Sequence, residues 1–222
     1  MSVRTIVSWS SGKDCATALQ KLRHDPSIHV VGLLTTVNEV HDRVAMHATR
    51  RELLERQAMA LDLPLHIVPI PSPCANDEYE ARMAEHLSTL QEQGVAQMAF
   101  GDLFLEDIRA YRERQMAPTG IKPIFPLWQS DTTQLAREII RSGTKAIVTC
   151  VDPRQLDASF AGRDYDQEFL NDLPRDVDPC GENGEFHTFV YAGPMFNAPL
   201  DIRRGMIVER DGFVFADVAL RT

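Results

Sequence analysis

Two short segments hold the residues whose types and spacing could do chemistry. The first is Ser8-Trp9-Ser10-Ser11-Gly12-Lys13-Asp14-Cys15, set between an apolar run at 3–7 and a helical pattern at 16–22. A strand that stops at small residues and opens directly into a helix presents unpaired backbone N–H groups. With the helix dipole, those groups suit a phosphate. Lys13 adds a mobile positive charge, and Asp14 can hold or orient a magnesium ion beside the phosphates. Ser8, Ser10, Ser11 and Gly12 complete this candidate nucleotide-binding set. The segment is not a Walker A loop, which requires glycine where Val7 stands and serine or threonine where Asp14 stands. The plain alternative is a strand-to-helix turn carrying a surface lysine.

The second segment is Asp178-Pro179-Cys180-Gly181-Glu182-Asn183-Gly184-Glu185-Phe186-His187-Thr188. Two glycines in four residues let the backbone approach a ligand closely, and two carboxylates three apart bracket an amide side chain. Such a loop could grip a cationic or amine-bearing substrate, or position ammonia. It could equally be a tight turn into a strand, with Glu182 and Glu185 facing water. Cys180 has no paired base legible in the sequence, so packing is its expected role and nucleophile the alternative. His47, just before a helix, is a candidate for phosphate or substrate contact, or else a capping residue.

These segments carry a resemblance. Ser10, Gly12, Lys13 and Asp14 match the PP-loop of ATP pyrophosphatases, usually Ser-Gly-Gly-Lys-Asp-Ser, with Ser11 in place of a glycine and Cys15 in place of the last serine. Together with Gly-Glu-Asn-Gly-Glu-Phe-His-Thr, the loop resembles the diphthine–ammonia ligase family, within the adenine nucleotide alpha hydrolase-like proteins. Met46-His47 before Arg-Arg-Glu-Leu-Leu, Gly101-Asp102 and Phe125-Pro126-Leu127-Trp128 extend the match over roughly residues 3–196. The pattern of diphthamide-making members, Glu-Gly-Gly-Glu-Phe-Glu-Thr, is altered at Asn183 and His187. This chain is similar to a variant subgroup common in bacteria, and its nucleotide chemistry carries over more fully than its substrate. The resemblance implies a HUP (Rossmann-like) ATP-binding domain, a smaller C-terminal domain, and a substrate cleft between them. It also implies adenylation of a carboxylate by ATP with release of pyrophosphate, then displacement of AMP by ammonia or another amine. ATP and Mg2+ are the expected cofactors. Lys13, Asp14 and Asp102 are the expected catalytic residues, with Asp14 and Asp102 on the metal. Cys180, Gly181, Glu182, Asn183, Gly184, Glu185, His187 and His47 would contact substrate. Lys13→Ala should abolish turnover and spare the fold. Other readings keep adenylation but thiolate or salvage a cofactor acid, or make the chain a non-catalytic ATP sensor.

Composition narrows the partners. The 222 residues are 44% hydrophobic and 25% charged, typical of a globular protein. With 32 acidic against 23 basic residues the net charge is −9, which disfavours nucleic acid as partner. The expected partner is instead a carboxylate-bearing small molecule or modified protein side chain, with homo-oligomerisation possible. No apolar run approaches the roughly 20 residues a membrane helix needs, and no signal-peptide pattern opens the chain, so a cytoplasmic location is expected. The four scattered cysteines form no C-x-x-C pair, which argues against a zinc site or disulfide framework.

The elements that must position these residues are legible as alternation. Strands are expected at 3–8, 29–37, 65–70 and 96–100. Helices are expected at 14–23, 49–61, from a cap at Asn76 or Asp77 to about 93, and at 106–116. This pattern predicts a doubly wound parallel α/β sheet. In the usual strand order the fourth strand lies beside the first across the switch point. Gly101 and Asp102 would then face the phosphate loop, and Thr35, ending the second strand, would meet the adenosine. A proline-rich stretch at 118–128 suggests a boundary near 125, the alternative being a hinge inside one fold. Such a boundary divides the chain into an ATP-binding domain (1–125) and a C-terminal α+β substrate domain (126–222). The latter has a helix at 132–142, a strand at 146–151 and antiparallel strands at 186–191, 206–209 and 213–216, the last two joined at Asp211-Gly212.

Overall fold

The computed structural model describes residues 2–44 and 47–221; Met46, part of the family match, lies outside them. Five strands form a wholly parallel sheet in the order β3-β2-β1-β4-β5. They are β1 (Val3–Ser8), β2 (Ile28–Asn38), β3 (Leu65–Ile70), β4 (Gln97–Ala99) and β5 (Lys122–Ile124). This is the Rossmann-like doubly wound arrangement, and its order reverses between β1 and β4 as expected. Helices α1 (Lys13–Arg23) and α2 (Arg51–Leu61) connect the first three strands, and α3 (Asn76–Glu92) and α4 (Glu106–Met116) the rest.

Two helix starts differ from the sequence expectation. Helix α2 begins at Arg51 rather than residue 49, because Arg50 is extended in an antiparallel bridge with Arg43 and the Thr49 carbonyl accepts from Val44 N–H at 2.9 Å. Neither Asn76 nor Asp77 caps α3; the cap position is Ala75, and Asp77 and Glu78 sit in the first turn, where they favour the helix dipole. The proline-rich stretch contributes β5, not recognised as a strand. Pro123 is tolerated there because β5 lies at the sheet edge, where an absent N–H breaks no ladder.

Beyond β5 come α5 (Thr132–Arg141), β6 (Lys145–Val151), α6 (Gln167–Asp172), β7 (Phe186–Ala192), β8 (Ile202–Arg210) and β9 (Phe213–Leu220). The four strands make an antiparallel sheet in the order β7-β6-β9-β8. Asp211 (φ 54°) and Gly212 (φ 79°) both take positive φ, as a two-residue hairpin matching strand twist requires. Asp166 caps α6 by accepting from Phe169 N–H, which buries Phe169 against Phe160, Tyr165 and Phe186. No helix among the described residues is long and apolar enough to cross a membrane.

One apolar core runs through both sheets, from Val7, Ala16 and Leu19 through Leu135 and Ile139 to Val148 and Phe186. At its centre sits a buried amide. Gln57 accepts from the Trp9 indole N–H at 2.8 Å and donates to Ser11 O at 3.1 Å and Val190 O at 2.6 Å. Val190 N–H also donates to Ser11 O at 2.9 Å. The loop after β1 is thereby bonded to β7 of the other sheet. Gln57→Leu keeps the volume but strands the Trp9 donor and removes the amide donor shared by Ser11 O and Val190 O, leaving Ser11 O only the Val190 N–H. It is expected to lower the unfolding free energy by about 2–4 kcal/mol, read from urea denaturation. A loss within error would show that the amide joins nothing essential.

Candidate active site

The end of β1, the start of α1 and the end of β4 meet the loop before β7 around a cavity of about 270 Å³. From the sequence-derived set, Ser8, Ser10, Lys13, Asp14, His47, Gly101, Asp102, Gly181, Glu182 and His187 line it. Ser11, Gly12, Thr35, Cys180, Asn183, Gly184 and Glu185 do not. Ser11 is buried and acts through its carbonyl. Gly12 is a close-packing position, since a Cβ there would lie 3.1 Å from both His47 Cε1 and Thr188 O. Thr35 is buried with an unpartnered hydroxyl away from the cavity wall.

Gly101 allows β4 to abut the first turn of α1, because a Cβ would lie 3.0 Å from the Asp14 carbonyl carbon and Cys15 N. Asp102 is brought beside Asp14 in consequence. Its Oδ2 is buried without a hydrogen-bond partner, and Arg112 Nε stands 3.7 Å away, beyond hydrogen-bond reach. Burial pushes the Asp102 carboxyl up, and Arg112 pulls against it. Among the described residues no three ligating side chains form a protein-only metal cage. Magnesium does not need one: it is held by one or two carboxylates with phosphate oxygens and water completing its octahedron. Asp14 and Asp102, which line the same cavity, fit that use. The first-turn N–H groups of Asp14 and Cys15 lack helical acceptors, so the start of α1 offers donors to a phosphate.

Lys13 is not a mobile surface cation. It is 2% exposed, with Nζ 2.8 Å from Asp14 Oδ2 and hydrogen-bonded to Cys180 O. The rings of Tyr165 and Phe186 lie 5.5 and 5.4 Å from Nζ. Burial favours the neutral amine, but the acidic groups around it, Asp14 first and Cys180 and Glu182 with it, together outweigh burial and raise the lysine, which stays charged. Alanine here would strand Asp14 and open a buried void, so the expectation that Lys13→Ala spares the fold does not hold.

The second segment divides its two carboxylates. Glu185 is buried, and its Oε1 accepts from Asp178 N–H at 3.0 Å and Asn183 Nδ2 at 2.9 Å, so both side chains shape the loop. Glu182 turns into the cavity, where Oε1 accepts from Leu103 N–H at 2.6 Å. Burial, with Asp14 and Asp102 nearby, pushes Glu182 up to about 7. Cys180 is buried, its thiol pushed far above the ordinary value by burial and donating to Thr132 O at 3.4 Å. Such a thiol is a packing group, and what the loop lends the site from Cys180 is its carbonyl. His47 and His187 stand with ring centroids 4.7 Å apart, and burial lowers them to about 4 and about 3, so both are neutral at pH 7. His47 Nδ1 lies 3.3 Å from Thr188 O, which fixes that nitrogen as the donor.

Sequence reasoning missed Arg112, Phe100, Phe186 and Thr188 on the cavity wall. Thr188 Oγ1 accepts from Lys13 N–H at 3.1 Å, pinning the start of α1 to β7. Arg112 left one signal, a cluster with Arg109 and Arg114 soon after Gly101-Asp102.

Fold and site together define a Rossmann-like α/β protein with a cavity where β1 turns into α1. Residues 3–123 match the model described as the diphthamide synthase N-terminal domain, and residues 131–217 that of the diphthamide synthase C-terminal domain. The chain belongs to the diphthamide synthase family. It is 28% identical over 216 residues to the diphthine–ammonia ligase of Bos taurus, covering 91% of this chain and 79% of that one. The Homo sapiens diphthine–ammonia ligase matches with the same values. That of Danio rerio is 26% identical over 241 residues, covering 97% and 92%. A solved structure described as a predicted subunit of tRNA methyltransferase from Methanocaldococcus jannaschii is more distant. It aligns with a TM-score of 0.46 at 16% identity, over 86% of this chain and 98% of that one.

The raised Glu182 makes stability depend on pH. The folded chain holds this proton more tightly than the unfolded chain, whose glutamate titrates near 4.5. The associated stability is therefore full below about 4.5 and is lost as pH rises to about 7. Glu182→Gln keeps the acceptor oxygen and cannot ionise. In magnesium-free buffer it is expected to raise stability by about 1–2 kcal/mol at pH 8, discounted for partial exposure, and not at pH 4. Urea melts at the two pH values measure this; equal shifts at both would reject it.

Proposed function

We propose that the chain is an ATP-dependent carbon–nitrogen ligase that activates a carboxylate by adenylation and transfers it to ammonia or another amine. The observation that carries this reading is the convergence of Asp14, Asp102 and Glu182 on one cavity at the start of α1. The family match and the diphthine–ammonia ligases among its relatives support the same chemistry.

A carboxylate resists amines because its charge repels them and oxide is not a usable leaving group. Its oxygen would attack the α-phosphorus of ATP and pyrophosphate would depart. The amine nitrogen would then add to the acyl carbon, expel AMP and lose a proton. Asp14 and Cys15 N–H groups and the Ser10 hydroxyl would hold the pyrophosphate portion. Lys13 would act from below, holding Asp14 in place and offsetting part of the acidic charge around the loop. Asp14 and Asp102 would hold magnesium, which neutralises charge on the departing phosphates. Glu182, titrating near neutrality, suits orientation of an ammonium or amine and acceptance of its proton. The neutral imidazoles of His47 and His187 would line the acceptor side without adding charge.

The test incubates the protein with magnesium-ATP, ammonium and a fractionated cell extract, and separates the nucleotides chromatographically. AMP and pyrophosphate should form in dependence on one fraction. Asp102→Asn should lower that rate about 10²–10³-fold with an unchanged circular dichroism spectrum. ADP and phosphate as products, or an Asp102→Asn variant of wild-type rate, would defeat the assignment.

A further inference from the structure

Beside the phosphate cavity lies another of about 330 Å³, between α3, the end of β4 and α4. Its wall is largely apolar, with Ala81, Ala84, Leu87, Phe100 and Met116. Phe100 and Arg112 line both cavities, so the two share a wall. The Arg112 guanidinium lies 4.9 Å from the Phe100 ring centre. Its Nε is buried and unpartnered, 3.7 Å from the equally unpartnered Asp102 Oδ2. Attraction at that distance holds the arginine in place without occupying its donors, which leaves the planar fork open to an incoming carboxylate. Glu80 and Arg114 also line the cavity, but of its charged groups only Arg112 borders the phosphate cavity as well; largely apolar walls with such a cation at the inner boundary recognise an amphipathic anion. At roughly 30 Å³ per heavy atom the volume holds about ten atoms.

We propose that this second cavity is the acceptor site, taking an apolar body of about ten non-hydrogen atoms that ends in a carboxylate gripped by Arg112. The proposal rests on the ligase reading and gives its substrate a chemical class. Body and carboxylate are recognised separately: the wall formed by α3 and α4 measures the length of the body, and Arg112 turns the carboxylate toward the phosphate cavity.

The probes are straight-chain carboxylates from hexanoate to dodecanoate and their uncharged amides, titrated against the nucleotide-free protein by calorimetry and saturation-transfer NMR. Affinity should rise roughly two- to fourfold per methylene until the cavity is full, and each amide should bind at least tenfold more weakly than its acid. Ala84 is solvent-exposed on α3, so Ala84→Trp fills the cavity without burdening the core. This variant should abolish probe binding and leave the affinity for magnesium-ATP unchanged. Arg112→Gln should remove the preference for acid over amide while keeping the dependence on chain length. No probe binding, equal binding of acid and amide to the wild type, or full binding by Ala84→Trp would overturn the proposal. Loss of ATP affinity in Ala84→Trp would assign the cavity to the nucleotide base and overturn it as well. Failure of the ligase reading is separately visible, as absence of AMP and pyrophosphate from the wild type with every extract fraction.

Discussion

The site depends on one buried cation. An ammonium group out of water costs several kcal/mol unless it is paired and hydrogen-bonded, and Lys13 is satisfied by its neighbour Asp14 together with groups from distant parts of the chain. Asp14 comes from α1, the Cys180 carbonyl from the loop before β7, and the faces of Tyr165 and Phe186 from the second half of the fold. Neither half alone can solvate the charge. The phosphate loop therefore takes its working shape only when the antiparallel sheet is docked. Gln57 and the Val190–Ser11 bond serve the same docking from the other side of the loop. The cleft implied by the sequence is thus less a gap between two units than a seam with its own buried polar contacts.

That seam explains why the two glutamates of the second motif differ. Glu185 lies on the side that faces the core, where a lone carboxylate must find donors, and it takes the Asp178 N–H and the Asn183 amide. Glu182, three residues earlier in a loop opened by Gly181 at φ 67°, points to the opposite side. A Cβ at Gly181 would lie 2.8 Å from Phe186 O, so only glycine lets the chain reverse there. Glu182 then meets Asp14 and Asp102, and three acidic groups around a small cavity raise one another's affinity for protons. A cavity so charged is stabilised by cations, which is the electrostatic counterpart of a site that handles magnesium and an amine.

Much of this was legible. The first sheet followed from strand and helix periodicity, and the strand order that sets Gly101-Asp102 beside the phosphate loop followed from the switch-point rule. Loop residues with backbone roles were legible because glycine and serine at fixed offsets carry that information locally. What escaped were side chains whose partners are remote in sequence. Lys13 reads as a surface cation because its enclosure comes from residues 165–186, and nothing in its own segment encodes that. Arg112 sits on a helix of mixed polarity and reaches the site only because β4 and α4 converge there. The short β5 escaped because prolines mask a strand that survives only at an edge.

Ser11 shows how local and remote determinants meet. It adopts φ 74°, a left-handed conformation where PP-loops usually carry glycine and where an L side chain costs about 1–2 kcal/mol. A serine can stay only if its side chain returns part of that cost, and its Oγ does so through the 2.7 Å bond to the buried Thr49 hydroxyl. Thr49 is available for this because its backbone lies outside α2, its carbonyl accepting from Val44 N–H while Arg50 bridges to Arg43. The segment ahead of α2, which carries His47 to the cavity wall, is thereby anchored to the phosphate loop itself. A departure from the usual motif is accommodated because the serine needs a partner and the loop before α2 supplies it.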